Sequence, residues 1–89
     1  MGKQRRKSLR LVSSDRFLSF LRKLGVQPKP TSRRRGGSHL MVERAANGGT
    51  LSAPVLQGKR ELDPEYQREV LEELGFSPDE IQSGLDRHY

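Results

Sequence analysis

Residues 36–55 read GGSHLMVERAANGGTLSAPV, and this stretch decides the fold. After the two glycines, apolar and polar residues alternate, so that Leu40 and Val42 lie on one side of a strand and His39 on the other. The Asn-Gly-Gly sequence at 47–49 is a strong signal for a hairpin turn. The pattern therefore predicts two antiparallel strands, with His39 pointing away from the core.

Prolines limit the strands on either side of this turn. The returning strand is predicted over residues 50–55, ended or bulged at Pro54, because proline cannot donate to a strand ladder. Ahead of the hairpin, residues 26–35 contain Pro28 and Pro30. We therefore expect this segment to form at most an edge strand or a loop.

Helices are predicted before and after the hairpin. The first begins at Ser13, with Ser14 or Asp15 as N-cap, and ends at Gly25. Its apolar side chains recur at helical spacing and predict one buried stripe. Those side chains are Phe17, Leu18, Leu21 and Leu24.

The second helix begins at Asp63-Pro64, an N-cap followed by proline at the first helical position, and ends at Gly75. Residues 77–80 read SPDE, a capping box that predicts a short third helix. The element order is helix, two or three antiparallel strands, helix, short helix. It predicts an α+β fold in two layers, with the long helices on one face of the sheet and the other face open.

Length and composition exclude several classes of protein. A chain of 89 residues is too short for a Rossmann fold, a barrel or a second domain. Without cysteine it has no disulfide scaffold, thiolate zinc site or thiol nucleophile. Apolar runs of two or three residues cannot span a membrane, so we expect a soluble, cytoplasmic protein with no membrane partner.

Charge is distributed unevenly along the chain. Of its 17 Lys and Arg residues, twelve lie in residues 1–35 with a single acid, whereas residues 36–89 are net acidic. We interpret residues 1–12 as a disordered basic tail and residues 13–89 as one domain. The basic half favours a polyanion partner, nucleic acid first; an anionic membrane fits less well because the basic stretch lacks Trp and Phe anchors.

Two groups of residues could carry chemistry. His39 follows Arg33, Arg34 and Arg35 closely, so it is either an exposed strand residue without a role or an acid or base beside phosphate-binding arginines. The second reading fits RNA cleavage at the 2′-hydroxyl. Lys59 precedes the second helix, whose N-terminus could hold a phosphate unless its capping aspartate already occupies that end.

Four features occur in order along the chain: the helix end Leu24-Gly25, the strand start Gly37-Ser38-His39, the turn Pro54-Val55-Leu56-Gln57-Gly58-Lys59, and the sequence from Leu71 to Ser77 followed by Glu80. In this order they resemble the HicA family of toxins, small mRNA interferases that pair with HicB antitoxins. The resemblance covers roughly residues 13–85.

The resemblance implies a fold like that of double-stranded-RNA-binding domains, α-β-β-β-α, here with a short extra C-terminal helix. It implies endoribonuclease cleavage of mRNA without metal or cofactor, with His39 in the catalytic position. A HicB-like antitoxin would cover the histidine face, and DNA would be met only through the antitoxin. In many members a histidine lies close to the proline of the turn, but Val-Leu-Gln follows Pro54 here, so a second proton-transfer group is missing.

On this hypothesis mRNA lies across the open sheet face. The residues expected to contact RNA are Arg33, Arg34, Arg35, Ser38 and Lys59. Two alternatives remain open at this point. One is a non-catalytic RNA-binding module that uses the same basic residues. The other is a protein-interaction adaptor that binds its partner through the acidic helices.

Overall fold

A computed structural model describes residues 7–30 and 39–89 of the chain. It confirms an α+β fold: three helices and one antiparallel sheet with strand order β1-β2-β3. The elements are α1 (Ser14–Lys23), β1 (Gln27–Pro28), β2 (His39–Ala46), β3 (Gly49–Leu56), α2 (Pro64–Glu73) and α3 (Pro78–His88).

The β2–β3 hairpin forms as the sequence predicts, and it is longer than expected. Asn47 and Gly48 have φ of 47° and 77°, the positive values that a tight two-residue turn requires. Pairing runs without interruption from Ala46 opposite Gly49 to His39 opposite Leu56. The prediction that the strand ends or bulges at the proline was therefore wrong.

Pro54 fits inside β3 because its backbone faces the outer edge of the sheet. The Tyr66 hydroxyl donates to Pro54 O at 3.3 Å and accepts from Leu56 N at 3.0 Å, so these backbone groups point away from β2. In an antiparallel strand the N–H and C=O of one residue point to the same side. The N–H that proline lacks would thus point outward, and no ladder bond is lost.

The segment before β2 forms a minimal edge strand, as the prolines predict. Gln27 pairs with Glu43 and Pro28 with Val42, and Lys29 N donates to Met41 O at 2.9 Å. The rest of the predicted loop, from residue 31 on, lies outside the described residues.

The helices begin at the predicted capping residues, except that the N-cap of α1 lies earlier in the sequence than predicted. The N-cap of α1 is Ser13, whose side chain accepts from Arg16 N, and not Ser14 or Asp15 as predicted. Asp63 caps α2 and the Ser77 capping box begins α3, both as predicted. With 11 residues, α3 is one residue longer than α1 and α2, so the prediction of a short third helix was wrong.

The core lies between the helices and one face of the sheet. On the sheet, Val42, Ala53 and Val55 are buried, and the register places all three on the same face. Helices α1, α2 and α3 supply most of the remaining core, so within the described residues no helix packs on the opposite face of the sheet, which we call the helix-free face. The buried apolar side chains from outside the sheet are Phe17, Phe20, Leu21, Val26, Leu62, Val70, Leu71, Leu74, Ile81 and Leu85.

Residues 7–12 differ from the predicted disordered tail, because they run along the helix layer and bond to it. Lys7 N donates to Asp86 at 3.1 Å, Arg10 N donates to the Tyr89 hydroxyl at 3.1 Å, and Val12 forms an isolated bridge with Leu62. Tyr89 is thereby anchored to the N-terminal segment. In the described ranges no helix has the length and apolar content needed to cross a membrane.

Candidate nucleic-acid interface

The candidate site is centred on His39, the first residue of β2. Its side chain is exposed, while Leu40 is half-buried and Val42 is buried, so the imidazole lies on the helix-free face as the alternation predicts. Opposite His39 across the hairpin is Leu56, the last residue of β3. The histidine is therefore at the end of the sheet where β3 passes into the loop before α2.

The rest of the helix-free face is mixed in polarity. Moving away from His39, the successive pairs on this face are Met41–Pro54, Glu43–Ser52 and Ala45–Thr50. Glu43 is the acidic side chain of these pairs, four residues along the strand from His39, or about 13 Å at 3.3 Å per residue. This separation is too long for direct proton transfer between the two side chains.

The loop after β3 is fixed by one buried serine. Ser14 is 1% exposed, and its hydroxyl donates to Leu56 O at 2.8 Å and accepts from Lys59 N at 3.0 Å. Its own backbone N donates to Lys59 O at 3.0 Å. These three bonds hold the loop against the first turn of α1, and we call them the Ser14 clamp.

The clamp places Lys59 at the same end of the hairpin as His39. Lys59 is exposed and lies three residues beyond Leu56, the partner of the histidine. Its side chain is therefore attached at that end of the sheet, and its contact with RNA stays a prediction. Arg33, Arg34, Arg35 and Ser38, which were also expected to contact RNA, lie outside the described residues.

The N-terminus of α2 does not offer a free phosphate site. The Asp63 side chain accepts from Glu65 N at 3.1 Å and so occupies that end of the helix with a carboxylate. The position of Lys59 is thus explained by its backbone hydrogen bonds to Ser14 of α1 and not by the dipole of α2. This outcome matches the alternative in which the capping aspartate already fills the end.

Sequence reasoning missed Ser14 as a positioning residue, although a signal was present. Position 14 lies three residues before Phe17 and seven before Leu21, on the same stripe of α1 as these buried side chains. A serine on a buried stripe needs hydrogen-bond partners inside the protein. That requirement separates Ser14 from its neighbour Ser13, which caps the helix at the surface.

The charge of the described part is balanced. Six of the 17 Lys and Arg residues, and none of the 11 Asp and Glu residues, fall in residues 1–6 and 31–38. The excess positive charge of the chain is therefore carried by these two segments. Within the residues that the structure describes, no group of three or more His, Asp or Glu side chains could hold a metal ion.

Comparison with known proteins gives no match: no family model, curated protein or solved structure matches this chain.

Proposed function

We propose that this protein is an endoribonuclease toxin of the HicA type, which cleaves mRNA with His39 as general acid or base. The observation that carries the proposal is the position of His39: an exposed imidazole on the helix-free sheet face, with Lys59 fixed at the same end of the hairpin. An imidazole near neutral pH can both accept and donate a proton, which phosphodiester cleavage at a ribose requires.

In the proposed reaction the RNA strand lies across the helix-free face. The 2′-oxygen attacks the adjacent phosphorus and loses its proton, while the bond from phosphorus to the 5′-oxygen breaks and that oxygen gains a proton. The products are a 2′,3′-cyclic phosphate and a 5′-hydroxyl. His39 acts on one of these two protons, and Lys59 together with Arg33, Arg34 and Arg35 stabilises the extra charge on the phosphate.

One histidine does not perform both proton transfers in a single step. On the helix-free face, within the described residues, Glu43 is the other side chain with suitable chemistry, and it is about 13 Å along the strand. Water, Ser38 or the substrate supplies the second transfer in this proposal. Because acid–base assistance from one group contributes about 10²–10⁴-fold, we expect a slow enzyme.

The finer fold assignment and the partners belong to the same proposal. The order α1-β1-β2-β3-α2 fits the arrangement of double-stranded-RNA-binding domains, with α3 as an addition. A HicB-like antitoxin would cover the helix-free face and block access to His39. Contact with DNA would then be indirect, through the antitoxin, and the toxin would act in the cytoplasm without a metal or cofactor.

A second candidate function is a non-catalytic RNA-binding module. His39 and Glu43 are too far apart to act on the same phosphodiester, so the face offers one acid–base group. One such group is not needed for RNA binding, whereas cleavage requires two proton transfers, and this favours the binding module. This candidate predicts RNA affinity that falls steeply with salt, unaffected by removal of the imidazole, and no cleavage products.

The test is cleavage of a purified mRNA in EDTA by the wild type, by His39→Ala and by a control, Glu72→Ala, which changes an exposed residue of α2. We expect His39→Ala to lower the cleavage rate by about 10²–10⁴-fold with unchanged thermal unfolding, and Glu72→Ala to cleave like the wild type. Expression of each variant in cells should show the same order of growth inhibition.

Equal cleavage by His39→Ala and the wild type would overturn the catalytic assignment. A wild type that binds RNA tightly but yields no products would instead establish the second candidate function.

A further inference from the structure

A cleft lies in the helix layer, away from the helix-free sheet face. It has a volume of about 360 Å³ and is bounded by the N-terminal segment, the outer side of α1 and the end of α3. We call it the α1–α3 cleft. Its lining residues are Arg10, Val12, Asp15, Arg16, Ser19, Phe20, Lys23, His88 and Tyr89.

Positive charge dominates the lining of this cleft. Arg10, Arg16 and Lys23 carry full positive charges, and Asp15 is the one acidic side chain among the lining residues. In the part of the chain that the structure describes, neither Arg16 nor Lys23 forms an ion pair with a carboxylate, and both are exposed. Two cations are thus left available to an anionic ligand.

The wall opposite α1 is held in place by hydrogen bonds and ring contacts. Arg10 N donates to the Tyr89 hydroxyl at 3.1 Å, and Arg10 O accepts from Nε2 of the buried Gln67 at 2.8 Å. The Arg10 guanidinium lies 5.9 Å from the centre of the Tyr89 ring, which itself packs edge-on against Phe20 at 4.9 Å. This cation is therefore positioned before any ligand arrives, which lowers the ordering cost of binding.

The spacing of the two α1 cations indicates the size of the ligand. Arg16 and Lys23 are seven residues apart, two turns or about 10.5 Å along the helix, with the Ser19 hydroxyl between them on the same side. At this separation each of the two cations can contact a different phosphate group of one extended ligand.

We propose that the α1–α3 cleft binds a ligand with two or more phosphate groups, either a nucleic-acid strand or a nucleoside polyphosphate. The site uses Arg10, Arg16 and Lys23 and none of the residues assigned to RNA cleavage, so it is independent of the proposed function. If the ligand is RNA, the cleft holds the strand on a different side of the molecule from His39.

The test compares two double variants that each remove two positive charges. Arg16→Gln with Lys23→Gln removes cleft cations, while Arg22→Gln with Arg68→Gln removes exposed cations that do not line the cleft. Lys23 and Arg22 are adjacent in the last turn of α1, so the two variants lose a similar interaction with the helix dipole. All proteins carry His39→Ala, so that RNA stays intact during the measurement.

Binding is measured by titration with single-stranded RNA, ATP and inorganic phosphate over a range of salt concentrations. For RNA, removal of two phosphate contacts should reduce the slope of log K against log salt concentration by about 1.4. A fourfold rise in salt concentration should therefore weaken RNA binding by the parent protein, which carries His39→Ala alone, about sevenfold more than binding by the cleft variant. The control variant should keep the slope of the parent. A loss specific to RNA identifies a nucleic-acid strand as the ligand, and a loss of ATP binding as well identifies nucleoside polyphosphates.

Three results would overturn the proposal: equal loss in both double variants, no loss in the cleft variant, or inorganic phosphate binding as tightly as ATP. RNA cleavage by the protein with His39 intact is measured separately. Failure of cleavage leaves the cleft proposal standing, and failure of the cleft leaves the cleavage proposal standing.

Discussion

Replacing Ser14 with alanine tests whether the Ser14 clamp holds the loop next to His39. The change removes the hydroxyl that donates to Leu56 O at 2.8 Å and accepts from Lys59 N at 3.0 Å. The backbone bond from Ser14 N to Lys59 O is kept. Two polar groups of the loop therefore lose their partner, while the helix backbone is unchanged.

The expected loss of stability is about 2 kcal/mol. Each unsatisfied buried group costs about 1–3 kcal/mol, and both bonds here are only partly buried, so we take about 1.25 kcal/mol for each. Alanine returns about 0.5 kcal/mol through its higher helix propensity. For a domain of this size the net loss lowers the melting temperature by about 8–16 °C.

The assay is thermal and urea unfolding of Ser14→Ala beside Ser19→Ala, the same chemical change at an exposed position of the same helix. The control should stay within about 0.5 kcal/mol of the wild type. Amide hydrogen exchange provides a local readout, because the Lys59 amide should exchange faster in Ser14→Ala alone. Equal stability of the two variants, with an unchanged exchange rate at Lys59, would refute the clamp.

Two further substitutions test other parts of the fold. Tyr89→Phe removes the hydroxyl that donates to Oε1 of Gln67 at 2.8 Å, and Gln67 is fully buried. We expect the free energy of unfolding in urea to fall by about 1–3 kcal/mol, and an unchanged urea midpoint would contradict this. Gly75→Ala should lower the free energy of unfolding measured in urea by about 1–3 kcal/mol, because its φ is +84° and the added Cβ would lie 2.5 Å from the Leu51 side chain. Gly49→Ala, whose Cβ meets its nearest atom at 3.9 Å, is the matched control, and equal effects of the two glycine changes would contradict the reasoning.

The parts of the fold that sequence patterns predict are those set by neighbouring residues. The two-residue period of β2 and the Asn47-Gly48 turn specify the hairpin and the outward direction of His39 without reference to the rest of the chain. The caps at Asp63 and Ser77 likewise depend on side chains within three residues. These local signals also place the candidate catalytic group.

The parts that the sequence does not predict depend on contacts between distant residues. Tyr89 bonds to Arg10, 79 positions earlier, and no local pattern marks either residue as part of that pair. The length of α3 has a similar origin. Gly84 weakens an isolated helix, yet here it is buried and its missing Cβ leaves room for Leu24, so tertiary packing outweighs helix propensity.

Buried polar side chains determine the paths of connecting segments, which the small apolar core does not determine. The apolar core fixes how the helix layer lies on the sheet, but hydrophobic contact has no direction and does not determine where a connecting loop runs. Ser14 holds the loop at Lys59 to α1, and Gln67 donates to both Arg10 O and Leu62 O, joining the N-terminal segment to the start of α2. Because hydrogen bonds are directional and costly to leave unmade, each of these two residues specifies one path for a segment that the core alone would leave free. Lys59 of the candidate interface and Arg10 of the α1–α3 cleft are both carried by segments held in this way, so the placement of each of these two cations depends on one buried polar residue.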